Sequence, residues 1–157
     1  MTTRKLLVLA AVALLLVALV FRVERRGVPA GTVVADPVRT PGVLNPDVTQ
    51  ATIGATICVH GWTRTVRPPV DYTNALKVKQ MRAYGEKGSR SDYQEDHLIS
   101  LELGGHPTDP RNLWPEPYPR ASAVDQIEND LNAQVCDGSQ SLRDAQERES
   151  ALKHGEG

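Results

Sequence analysis

An acid and an imidazole stand side by side at Asp96-His97, within the run Asp92-Tyr93-Gln94-Glu95-Asp96-His97-Leu98-Ile99. Gly104-Gly105 turns the chain shortly afterwards, and Asn112 returns fifteen positions after His97. Those residue types at that spacing suit hydrolysis of a phosphodiester. A histidine with an ordinary pKa of about 6.5 can take a proton from water at neutral pH. A hard divalent ion can hold charge on the scissile phosphate and assist the departing oxygen. On this reading His97 is the general base, Asp96 is a metal ligand, and Asn112 hydrogen-bonds the loop that carries His97 so that the ring stays aimed. The competing reading is a surface aspartate beside a satisfied core histidine. In a flat strand the two side chains would point to opposite faces, so a shared site requires the strand to bend or twist there.

Asp96-His97, the Leu103-Gly104-Gly105 turn and Asn112-Leu113 together resemble the motif of HNH (His-Me finger, ββα-metal) nucleases. The wider pattern takes in Ile57-Cys58-Val59, Gly61-Trp62, Val66-Arg67-Pro68-Pro69 and Asn112-Leu113-Trp114-Pro115-Glu116. It is similar to small exported bacterial proteins usually described as HNH-like, over roughly residues 41–146. The resemblance implies an α+β fold with a ββα-metal core. It also implies metal-dependent endonuclease activity on DNA or RNA, with no nucleotide cofactor. A further metal ligand is then expected from the helix that closes the finger. Asp125 stands thirteen residues after Asn112, a spacing like that of a ligand in colicin-type members, and Glu128 lies one turn further along the same face. With Asp96 these would make an all-oxygen site, which suits Mg²⁺ or Mn²⁺ better than Zn²⁺. The other reading of Asp125 and Glu128 is a solvated helix face. Ser100 occupies a place where relatives often carry Pro, a change expected to alter strand rigidity and not chemistry.

The elements that must position these residues are partly readable. Residues 56–60, rich in Thr, Ile and Val between Gly54 and Gly61, predict an extra N-terminal strand, and Pro68-Pro69 predicts a break in regular structure. Leu76, Met81 and Tyr84 give an apolar stripe for a helix over about 74–84, stopped by Gly85. Three prolines in 115–119 exclude helix there. Ser122 can then cap a helix that buries Val124, Ile127, Leu131 and Val135, leaving Asp125, Glu128, Asn129 and Asn132 on the neighbouring stripe. Ser141 and Asp144 resemble a capping box for a last amphipathic helix with Leu142, Ala145 and Leu152 inward, after which Lys153 onward is expected to fray. His60 and His106 read as bystanders.

Residues 1–26 stand apart: Leu6 to Phe21 is an unbroken apolar run behind Arg4 and Lys5. Sixteen helical residues span about 24 Å, a little short of a bilayer core of about 30 Å, and Arg22 can snorkel to close the gap. The run reads as an uncleaved membrane anchor, or else as a cleaved signal peptide. Residues 27–45, broken by Pro29, Pro37 and Pro41, read as a linker, and 46–157 as the domain. In an exported chain the two cysteines, Cys58 and Cys136, are most simply a disulfide, with two buried free thiols as the alternative. Anchor and cystine together place the body outside the cytoplasm.

Without residues 1–26, thirteen bases and eighteen acids remain, a net of −5, which argues against indiscriminate polyanion binding. The sign is uneven, since residues 60–90 carry seven bases against Asp71 and Glu86. Arg64, Arg67, Lys77, Lys79 and Arg82 are the candidate contacts to a nucleic-acid backbone, with an ordinary wet surface as the alternative. A non-catalytic envelope protein that keeps the finger as a scaffold is the rival function.

Overall fold

The computed structural model describes residues 34–118 and 120–155. The expected anchor over 6–21 and the first part of the expected linker fall outside them, and no helix among the described residues is long and apolar enough to cross a membrane.

The fold is α+β. One antiparallel hairpin, β1 (Tyr93–His97) and β2 (Leu113–Pro117), pairs Asp96 with Trp114 and His97 with Leu113. Helices α1 (Trp62–Val66) and α2 (Val70–Tyr84) precede it, and α3 (Arg120–Asp137) and α4 (Leu142–His154) follow. α2 begins at Val70, earlier than its apolar stripe suggests. Pro69 supplies the reason: its fixed φ of −58° presents a carbonyl that accepts the N–H groups of Tyr72 and Thr73, so the double proline starts a helix as well as ending one. α2 then grips both arms of the hairpin region. Lys77 Nζ donates to Tyr93 O at 2.8 Å, and Gln80 Nε2 donates to Pro110 O at 2.9 Å.

Residues 56–60 are not a strand. A 3-10 turn, Ile53–Ala55, runs into further turns in which Thr56 N–H and Cys58 N–H both donate to Ile53 O. Strand propensity records how well a residue fits a half-buried pleat, and among the described residues no neighbouring strand offers one here. Ile57 packs into the core instead, and Cys58 forms a disulfide with Cys136 near the end of α3, with Cα atoms 5.5 Å apart. The free-thiol alternative is therefore set aside. α3 starts at Arg120, ahead of the expected Ser122 cap, whereas Ser141 does cap α4, its Oγ accepting from Asp144 N–H at 3.1 Å.

Residues 34–45 are not a free linker either. Ala35 and Thr40 are buried, Ala35 N–H donates to Lys153 O, and Asn45 N–H donates to Gly104 O. A proline-broken segment without apolar period can still be held by backbone bonds, which periodicity does not register. The core has one larger cluster that includes Val48, Ile99, Leu103, Leu131, Val135 and Leu142, and a smaller one of Ala35, Leu98 and Trp114 against Tyr84. The predicted stripe of α3 is where it was expected, with Val124, Leu131 and Val135 buried.

Candidate active site around His97

β1 stops at His97, and the chain turns inward through Leu98, Ile99 and Ser100, all buried. Asn112 closes this turn from the far end of loop 98–112. Its Oδ1 accepts from Ile99 N–H at 3.0 Å, and its Nδ2 donates to Ile99 O at 3.0 Å and to His106 O at 3.1 Å. Between those ends Gly105 must be glycine, because a Cβ there would overlap the Ile99 carbonyl. His106 serves the loop locally: its Nδ1 accepts from Asp109 N–H at 3.0 Å.

His97 Nε2 lies 3.0 Å from Pro107 O. A carbonyl only accepts, which assigns the proton to Nε2 and leaves the lone pair on Nδ1. Burial pushes the imidazole pKa below its ordinary value, against smaller raising effects from Pro107 and Asp96. The ring is thus neutral at neutral pH. Because the strand ends here, Asp96 and His97 reach the same cavity of about 300 Å³, which Arg67, Ser100, Glu102, Asp125 and Glu128 also line. Both residues line one cavity although both lie in β1, so the opposite faces of a flat strand do not keep them apart. Ser100 Oγ is buried without a hydrogen-bond partner, so this wall holds an unanswered polar group.

The middle of the carboxylates is taken by a lysine. Lys153, fully buried in the last turn of α4, donates to Asp96 Oδ2 at 2.9 Å, Glu128 Oε1 at 2.5 Å and His97 O at 2.5 Å. Its Nζ is also 3.2 Å from Glu149 Oε1. Glu149, one turn earlier, accepts from Ser100 N–H with both oxygens, at 2.9 and 3.0 Å. Lys153 was expected at the start of a frayed tail; it is instead fully buried, as are Glu116 and Glu149, and helix continues to His154. Neither Glu149 nor Lys153 was anticipated as part of the site. The available signal was their place on the continuation of the Leu142–Ala145 stripe, where a charged residue must be buried with a partner.

The electrostatics follow from one ammonium among several acids. Burial disfavours the Lys153 charge, yet Asp96, Glu149 and Glu128 overcome it and hold the pKa well above the ordinary lysine value. Burial likewise works to raise Asp96, but Lys153 and Glu116 outweigh it and keep that carboxyl low. Glu128 is pushed up to about 9, chiefly by burial, and Glu116 to about 8, by burial and then by Asp96. Glu116 also pairs with Arg120 at 2.9 Å.

This donor set does not fit a divalent ion as it stands. Asp96 Oδ2 and Glu128 Oε1 are each held by an ammonium, Asp96 Oδ1 accepts from Gln94 Nε2 at 3.2 Å, and Asp125, although on the cavity wall, is exposed to solvent. Among the described residues, no group of three or more His, Cys, Asp or Glu side chains is arranged to hold a metal ion. Of the candidate nucleic-acid contacts, Arg67 lines the cavity, while Arg64, Lys79 and Arg82 are exposed on α1 and α2. Lys77 is committed to the backbone of Arg90 and Tyr93.

No protein-family model, no curated protein and no solved structure matches this chain. The disulfide is compatible with an oxidising, extracytoplasmic compartment.

Proposed function

We propose that this chain hydrolyses phosphodiester bonds in nucleic acid, outside the cytoplasm, as an HNH-like endonuclease anchored or exported through residues 6–21. The observation that carries the reading is His97: a buried, neutral imidazole whose Nε2 is tied to Pro107 O and whose Nδ1 is the basic nitrogen, on the wall of a cavity that also presents Arg67. In this mechanism Nδ1 takes the proton of the attacking water as its oxygen bonds to phosphorus, the opposite P–O ester bond breaks, and the departing oxygen takes a proton from solvent. Arg67 stabilises charge on the non-bridging phosphate oxygens, and Arg64, Lys79 and Arg82 supply backbone contacts beyond the cavity. Asn112 touches neither water nor phosphate; it positions His97 by fixing the turn at Ile99. No step is routed through a divalent ion, because Asp96 and Glu128 are occupied by Lys153.

That same occupation favours the rival reading, a scaffold that binds protein or cell-wall material at this face. The full chain incubated with plasmid and with RNA, in Mg²⁺, Mn²⁺ or EDTA, separates the two. Cutting that His97→Ala lowers by at least about a hundredfold supports the hydrolase. Intact plasmid and RNA in every condition leave the scaffold.

A further inference from the structure

Three carboxyl groups from three different elements meet at one nitrogen: Asp96 from β1, Glu128 from α3 and Glu149 from α4. That is the arrangement by which a protein normally collects a hard cation, with the His97 carbonyl as a fourth oxygen at 2.5 Å. We infer that Lys153 is a built-in cation that joins these carboxyl groups in the place of a divalent ion and closes the cluster to metals.

Two further observations carry this. First, the ammonium is fully used: its three N–H groups meet Asp96 Oδ2, Glu128 Oε1 and His97 O, so nothing about Lys153 calls for another partner. Second, Lys153 has little room to swing aside for an ion, because its side chain is fully enclosed and the backbone that carries it is pinned. Lys153 O accepts from Ala35 N–H at 3.0 Å, Leu152 O accepts from Arg120 Nη2 at 2.8 Å, and the His154 ring contacts Thr40 O at 3.0 Å. A dication bonded to Asp96 Oδ2 would sit against a fixed ammonium in a dry interior, where like charges repel strongly.

The test reads metal binding and melting, so it stands apart from whether the chain cuts nucleic acid. The full chain is titrated calorimetrically with Mg²⁺, Mn²⁺ and Ca²⁺, beside Asp96→Asn and Lys153→Ala, and each is melted in EDTA and in millimolar ion. The wild type is expected to show no binding heat that Asp96→Asn removes, and the same melting temperature with and without ions. Lys153→Ala is expected to melt lower in EDTA, to regain melting temperature in divalent ions, and to bind them at least tenfold more tightly than the wild type. Ca²⁺ should restore it most, since its oxygen distances of about 2.3–2.6 Å come nearest to those the ammonium keeps. Wild-type binding at submillimolar concentration that is lost in Asp96→Asn overturns the inference, and that arm does not depend on the lysine variant folding. A folded Lys153→Ala chain indifferent to all three ions overturns it too.

Discussion

Asn112→Ala is the perturbation that most directly probes how His97 is held. The substitution leaves three backbone groups without their partner: the N–H and carbonyl of Ile99 and the carbonyl of His106. Asn112 and Ile99 are buried, so water does not replace these bonds freely. At a net of about 1 kcal/mol for each bond, the loss is about 3 kcal/mol, out of a total stability on the order of 10 kcal/mol for a domain of this size. Urea unfolding followed by circular dichroism should move to a midpoint lower by about 1–2 M, with the slope unchanged. Asn112→Asp makes the comparison sharper. It keeps the acceptor for Ile99 N–H but aims a carboxylate at two carbonyl oxygens, so at neutral pH it should be at least as damaging as alanine. A loss below about 1 kcal/mol in both variants would refute the reasoning, for it would mean that the turn behind His97 is wet or rearranges without cost.

Three other outcomes are expected. Glu95 is pushed up to about 8, mainly by burial, and neither carboxylate oxygen has a hydrogen-bond partner. With a folded pKa above the unfolded one, its favourable contribution is complete below about pH 4.5 and lost as pH rises through about 8. Undiminished, that shift would be worth about 5 kcal/mol; partial solvent contact reduces it to on the order of 2 kcal/mol, and Glu95→Gln should remove that part of the decline in urea midpoint between pH 5 and pH 8. Paired Cys58→Ser and Cys136→Ser substitutions should cost about 4.5 kcal/mol in the chain-entropy model, given a separation of 78 residues, measured as the same kind of midpoint shift. Arg67→Ala should weaken nucleic-acid binding and flatten its salt dependence by about one phosphate contact, whereas Lys77→Ala should chiefly destabilise the fold; binding isotherms at several salt concentrations distinguish them.

The parts of the site that sequence shows well are those set by local rules. Asp96-His97 before a double glycine, and an asparagine at the return, describe a turn whose base needs a side chain able to donate and accept at once, and Asn112 does both. The α3 stripe and the Ser141 cap are likewise local patterns with one physical solution. What stayed hidden depends on partners far along the chain. Residues 56–60 have the composition of a strand, but their alternatives were decided by the absence of a pairing edge and by Cys136. Residues 34–45 lack any period and are ordered by backbone bonds to loop 98–112 and to α4. Glu149 and Lys153 look like ordinary helix-surface charges unless the stripe is extended through them, and only then does their spacing of four mark a buried pair.

Buried ionic clusters are weak sources of stability, because desolvation consumes most of what attraction returns. The cluster of Asp96, Glu116, Glu128 and Glu149 with Lys153 and Arg120 is therefore better understood through what it does to the cavity wall. By engaging Asp96, Lys153 weakens the field that would otherwise favour a protonated His97, and burial then keeps the ring in its basic form. The wall that remains presents one guanidinium, Arg67, against Glu102 and Asp125, both of whose carboxyls are raised by burial and so hold their charge less firmly than free side chains. A phosphate entering this cavity would meet a base, a single firm cation and two acids whose carboxyls are raised from their ordinary values. A neutral ligand would gain hydrogen bonds but no charge attraction from Arg67. The physical choice between the hydrolase and the scaffold thus rests on the sign of charge the cavity accepts, which α4 sets through Lys153.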